Sequence, residues 1–214
     1  MYIPEPFILS DPAATADLLR DHPFGLLVTA DPGAAPVATH LPFLFDADAG
    51  PHGTLSGHMA RANPQWRDFA ALEAAGGEAL AVFQGPHGYV SPRWYGPGDA
   101  VPTWNYLAVH AYGLPRVIED ATRVRALQED LVAIFEAGAA APWSMVGQDG
   151  RYIARMLRGI VAFEIPVARL EAKAKLSQNR TAGDRAGVAA ELEASGLPGD
   201  LELAAAMRRR FRSD

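Results

Sequence analysis

Apolar and polar positions alternate in short runs over the first half of the chain and recur every three to four residues over much of the second, a change of period that separates strands from helices. Ser10-Asp11-Pro12 is a helix start, with a capping side chain and a proline whose missing N–H costs nothing in the first turn, and Pro23 ends that helix. Residues 24–30 and 36–45 are β-forming runs on either side of the turn signal Asp31-Pro32-Gly33; in the second, Val37, Thr39 and Leu41 alternate with Ala38 and His40. Residues 54–58 predict a third strand and residues 78–84 a fourth, with a short helix opened by Asn63-Pro64 and carrying Phe69 and Leu72 between them. Tyr89-Val90, residues 101–112 and residues 114–118 are further extended runs separated by Pro- and Gly-rich loops.

Asp120 caps the most strongly periodic helix, where Val124, Leu127, Leu131, Ile134 and Phe135 recur on one face and Gly138 is the stop. A helical stretch at 151–157 precedes an apolar strand, 160–165, that continues to Leu176. Two last helices, 184–194 and 201–211, flank the turn Gly196-Leu-Pro-Gly199. The pattern predicts an α+β fold, mainly β, with a meander or small barrel, peripheral helices and a C-terminal helical pair. Residues 1–180 form the expected barrel domain with inserted helices, and 181–214 a helical extension packed on it.

Composition bounds the class. Apolar residues are 49% and charged residues 21% of the 214, the balance of a globular chain, and the length suits one sizeable domain. The absence of cysteine excludes disulfides, thiolate zinc sites, iron–sulfur clusters and cysteine nucleophiles. A net charge of −6 repels a phosphate backbone over the surface as a whole, so nucleic-acid binding would need a local basic patch. No stretch reaches the roughly 18 uncharged apolar residues of a membrane span, and residues 1–7 lack the basic and apolar regions of a signal peptide; the expectation is a cytoplasmic protein.

Four blocks combine Trp, Tyr, His, Asn and Arg with Pro and Gly at strand ends, where a rigid scaffold holds ligand-binding loops. They are Gly57-His-Met-Ala-Arg-Ala-Asn-Pro-Gln-Trp66, Gly85-Pro-His-Gly-Tyr-Val-Ser-Pro-Arg-Trp-Tyr95, Val101-Pro-Thr-Trp-Asn-Tyr-Leu-Ala-Val-His110 and Lys175-Leu-Ser-Gln-Asn-Arg180. With the opening Met1-Tyr-Ile-Pro4, these blocks resemble, in order and over nearly the whole chain, the PaiB-type family of FMN-binding negative transcriptional regulators. The resemblance implies a split β-barrel like that of the pyridoxamine phosphate oxidases and small flavin reductases, and a homodimer whose flavin sites lie between subunits. It implies FMN as cofactor, with haem as the alternative, because related split barrels include haem-binding proteins.

The residues bear on this independently. FMN needs cations or N–H donors for its phosphate, flat walls for its ring and polar groups for the ring edge. Arg61 precedes the helix opening near Asn63, so its guanidinium and the free helix N–H groups could face one anion; it could equally be a surface arginine beside a cap. Glu171, Lys173 and Lys175 occupy every second position of a strand, so the only two lysines of the chain project from one face. That face is either a phosphate site taking in the turn Ser177-Gln178-Asn179-Arg180 or a solvated edge strand. Ser91 and Thr103 offer hydroxyls; Trp94, Tyr95, Trp104 and Tyr106 can wall a ring or anchor core and interface. Asn63, Gln65, Asn105 and Gln178 can meet the ring edge or brace loops.

His58, His87 and His110 lie inside the blocks and are open to an axial haem role, while their spacings match no short metal motif. The chain has no Gly-x-Ser-x-Gly elbow, phosphate loop or dinucleotide fingerprint, and no catalytic residue is assigned. A flavin enzyme takes its reactivity from its cofactor, so a flavin-dependent oxidoreductase stands as the rival to a binding regulator. The last two helices have the outline of a helix-turn-helix, but the second begins with Asp200 and Glu202 and carries Arg208, Arg209, Arg210 and Arg212 at its far end. Acids at the reading end would repel phosphates, so no specific DNA affinity is expected.

Overall fold

A computed structural model describes residues 1–30 and 35–211. The predicted turn Asp31-Pro32-Gly33 and Arg212 lie outside the described residues. Asp11 accepts the Ala13 N–H at 2.9 Å and starts α1 (Pro12–Asp21). The strands are β1 (Phe24–Thr29), β2 (Val37–Asp46), β3 (Thr54–Ala60), β4 (Ala79–Val90), β5 (Thr103–Gly113), β6 (Arg116–Val117) and β7 (Ile160–Lys175). Between and after them come α2 (Asp68–Ala74), α3 (Ala121–Glu136), α4 (Gly150–Arg158), α5 (Ala182–Ser195) and α6 (Pro198–Arg210). Strand order is β3-β2-β1-β4-β5-β7-β6, and an added antiparallel β3–β7 pairing, Leu55 opposite Ile165, joins the run back on itself. The architecture is the α+β split β-barrel with peripheral helices and a C-terminal helical pair. Among the described residues no helix is long and apolar enough to cross a membrane.

Two compact units divide the chain. The first comprises Met1–His22, Phe83–His110 and Glu171–Asp214, the second Pro23–Val82 and Ala111–Leu170. In the second, Phe163 meets Phe43 and Phe69 edge to face at 6.2 and 5.4 Å, the arrangement favoured by aromatic quadrupoles, and Leu27, Leu55 and Met59 are buried in the same unit. α3 covers Ile118 and Ala162 with Leu127 and Leu131. In the first unit, Val90 and Leu176 are covered by Val188 and Leu192 of α5 and Leu203 and Met207 of α6. Gly196 turns between these helices at φ +67°, and the Arg208 fork meets Glu193 at 2.9 Å from two nitrogens. Gly187 lets α5 approach the Trp94 carbonyl, which a Cβ would meet at 2.5 Å.

Several elements differ from the sequence expectation. β4 does not stop at Gln84 but runs through Gly85-Pro-His-Gly to Val90, because Gly85 and Pro86 are both buried and the alternation restarts one residue out of phase. Of residues 114–118 only Arg116 and Val117 form a strand. Pro198 and Gly199 belong to α6, where proline suits the first helical position, rather than to the turn. Ile134 and Phe135 do not share the buried face of α3; they are exposed.

Asn105 is fully buried, and its Nδ2 donates to Ser177 Oγ at 3.0 Å and to Met207 Sδ at 3.6 Å. Asn105→Ala should therefore cost about 1–3 kcal/mol in urea unfolding. Ser177→Ala should cost less in that background than alone, and strictly additive losses would deny the coupling. At Gly113 an added Cβ would strike the Pro166 carbonyl oxygen, so Gly113→Ala is expected to lower the urea midpoint by the equivalent of about 1–3 kcal/mol.

Candidate functional site

The four blocks divide between the units. The first block, with His58, Arg61, Asn63 and Gln65, lies in the second unit; the other three lie in the first. Asn63 Oδ1 accepts the Gln65 N–H at 3.0 Å and caps a short 3-10 turn, Pro64–Arg67, while its Nδ2 donates to Thr39 Oγ1 at 3.0 Å. Gln65 is buried, its Nε2 placed 3.1 Å from the carbonyls of Leu27 and Val37 and 3.2 Å from Thr29 Oγ1. Its Oε1 is buried with no hydrogen-bond partner among the described residues. The Arg61 guanidinium donates from Nε to the Arg158 carbonyl at 2.9 Å and from Nη2 to the Ile160 carbonyl at 2.8 Å, satisfying acceptors at the end of α4 and the start of β7. His58 Nδ1 is 3.1 Å from Gln128 Nε2, and burial holds its pKa below the usual histidine value.

In the first unit the structure brings the start of β5 against the end of β7. Lys175, at the last position of β7, reaches the Thr103 hydroxyl and the Trp104 carbonyl with its Nζ, 2.6 Å from each. Burial, then repulsion from Lys173, lowers the Lys175 pKa below the ordinary lysine value. Lys173 shares the same face but is buried, donating to the Tyr2 carbonyl at 3.0 Å with its ammonium 5.0 Å from the centre of the Tyr106 ring. Trp104 is 55% exposed and stands edge-to-face with exposed Tyr89 at 6.3 Å.

The remaining candidates form a second group in this unit. The Arg180 guanidinium lies 4.4 Å over the Tyr95 ring, whose hydroxyl is buried without a hydrogen-bond partner among the described residues. Ser91 Oγ accepts the Arg93 N–H at 3.3 Å and caps the 3-10 turn Pro92–Trp94; Trp94 packs on the helical core. Gln178 takes the Leu176 N–H at 2.6 Å and donates to the Ala174 carbonyl, bracing the turn that Asn179 leaves exposed. The Gly96 N–H, 2.8 Å from Asp184 Oδ1, holds that carboxyl below its usual range, with help from the Thr181 hydroxyl.

Sequence reasoning missed Gln128 and gave no separate role to Tyr89 and Ser177, which lie inside its blocks. Ser177, buried at φ +66°, is left-handed without being glycine, a strained conformation to which its bonds with Asn105 give a local cause. No group of three or more His, Asp or Glu side chains placed to hold a metal occurs among the described residues. The group around Lys175 offers a planar anion a half-buried ammonium, an adjacent hydroxyl and a pair of exposed aromatic rings, while the second group offers the Arg180 guanidinium beside a buried, unsatisfied tyrosine hydroxyl.

Residues 1–169 match the family described as "Putative FMN-binding domain". Protease synthase and sporulation protein PAI 2 of Bacillus subtilis is 35% identical over 217 residues, covering 99% of both chains. An uncharacterized protein of Emericella nidulans is 33% identical over 229 residues, covering 90% of each. Among solved structures, the FAD and heme binding protein from Mycobacterium smegmatis superposes with a TM-score of 0.57 at 18% identity, over 83% of this chain and 77% of that one. The flavocytochrome Anf3 from Azotobacter vinelandii gives 0.54 at 17% identity, over 78% and 67%. The two structures share the fold. With the family match spanning most of the sequence and the Bacillus protein aligned almost end to end, the chain belongs to this FMN-binding-domain family.

Proposed function

We propose that the chain binds FMN as a homodimer and acts as a negative regulator of gene expression rather than as an enzyme. The observation that carries this reading is the Lys175 ammonium, seated on the Thr103 hydroxyl beside the exposed Trp104 and Tyr89 rings in a member of an FMN-binding family. Lys175 and Thr103 would hold the phosphate and Trp104 one face of the ring. When bound, FMN supplies a redox-active isoalloxazine and a dianion. Arg180, with Tyr95 beneath it, offers a second cation in the same unit, whereas Arg61 belongs to the other unit, where its guanidinium donates to two carbonyls. Asn105 and Gln65 serve the fold from buried positions.

Dimerisation is supported by the large apolar side chains left exposed along α3, α4 and the segment between them: Ile134, Phe135, Trp143, Val146, Tyr152 and Met156. A patch of that kind is normally covered by a partner. The Bacillus relative's name, Protease synthase and sporulation protein PAI 2, together with the resemblance to PaiB-type regulators, supports control of expression as the role.

Freshly purified protein titrated with FMN should quench flavin fluorescence and shift its visible bands. Lys175→Ala should weaken binding roughly 10- to 100-fold, the loss of one charge-assisted hydrogen bond, with the melting temperature little changed. Because burial lowers the Lys175 pKa, the ammonium is lost at less alkaline pH than an exposed lysine would lose it, so affinity should fall as pH rises through that lowered value. Identical titrations for both proteins would remove Lys175 from the site. Sedimentation should give a dimer at micromolar concentration and a shift towards monomer for Phe135→Glu; a monomeric wild-type protein would refute the assembly.

A further inference from the structure

We infer a second ligand site, in the first unit, for an amphipathic zwitterion: a small molecule with an apolar body, a carboxylate at one end and an amine at the other. A cavity of about 670 Å3 is lined by the N-terminal segment, α1, the three strands of this unit and the end of α6. That lies within the roughly 300–1,000 Å3 typical of small-molecule sites. Its apolar lining is Leu9, Leu18, Pro86, Leu107, Leu176 and Ala206, most of them buried. None of the residues proposed above to hold FMN lines it.

Charges of both signs line the same cavity without cancelling each other. α1 contributes Asp17 and Asp21, one turn apart, with Asp11 at its cap; α6 contributes Arg209 and Arg210. Among the described residues Arg209 and Arg210 have no ion pair, whereas the adjacent Arg208 is fully engaged by Glu193. Asp17 pairs only with Arg20 of its own helix, at 3.3 Å, and Asp21 has no ion pair among the described residues. Two arginines and Asp21 without ion pairs among the described residues, with Asp17 held only by an exposed pair on its own helix, surround an apolar floor and complement a ligand that carries both charges. A simple carboxylate meets the aspartates as like charge, and a simple amine meets the arginines so, which makes each lining a filter against the wrong ligand.

The test is calorimetric titration of the full chain with 8-aminooctanoate, octanoate and octylamine, probes that share one apolar body. The zwitterion should bind about two- to fivefold more tightly than either singly charged probe, the effect of one exposed ion pair. The Arg209→Ala/Arg210→Ala variant should reduce the zwitterion to the affinity of octylamine, and Asp17→Asn/Asp21→Asn should reduce it to that of octanoate; all four positions are exposed and melting should be unaffected. Saturating FMN should leave these affinities unchanged, which separates this site from the flavin proposal. Equal affinity for the three probes, no effect of either double variant, competition by FMN, or no binding by the wild-type chain would each overturn it.

Discussion

Three strands are long enough to serve two cores each, and the way they do so governs the molecule. Successive residues of a strand point to opposite faces, so a run of burial that breaks the period of two marks either a slip in alternation or cover on both faces. β4 slips: Ala79, Ala81 and Phe83 are buried at odd positions and, after Gly85-Pro86, Gly88 and Val90 at even ones. β7 is covered on both faces, leaving Val161, Ala162 and Phe163 buried in succession, and again Ala172, Lys173 and Ala174. The second run places a lysine inside. Its charge is tolerated because a carbonyl accepts from it and the Tyr106 ring lies against it.

That burial also shapes the candidate site. Lys173 and Lys175 share a face, so a cation already committed to the interior stands beside one that is half-exposed, and burial first, then the inner charge, makes the outer proton easier to lose. The outer amine then has its position defined by two strand-end acceptors, one of them backbone. Groups fixed by strands are held more precisely than groups on loops, which suits recognition of a flat anion.

Local chemistry was readable in advance, and long-range chemistry was not. The caps at Asp11, Asp120 and Asn63, the period of α3 around Leu127 and Leu131, and the alternation of Glu171, Lys173 and Lys175 depend on neighbours a few residues away, and they stand as expected. Ile134 and Phe135 continue the same apolar rhythm, yet nothing in the described chain covers them, since periodicity marks a stripe without saying how far its partner extends. Gly85-Pro86 read as a break because proline opposes a central strand, but here the slip in alternation absorbs it. Arg61, separated from its carbonyl partners by 97 and 99 residues, and Gln65, reaching β1 and β2, acquired their partners only through tertiary structure.

The helical pair formed by α5 and α6 is the outer wall of a core whose inner wall is Val90 and Leu176. Its residues follow in the chain the strands they cover, so during synthesis this apolar surface emerges uncovered and closes only once α5 and α6 have left the ribosome, at about 5–20 residues per second. A premature stop codon after Arg180 would strand that surface permanently, handing the nascent product to chaperones and proteases rather than yielding a smaller working protein.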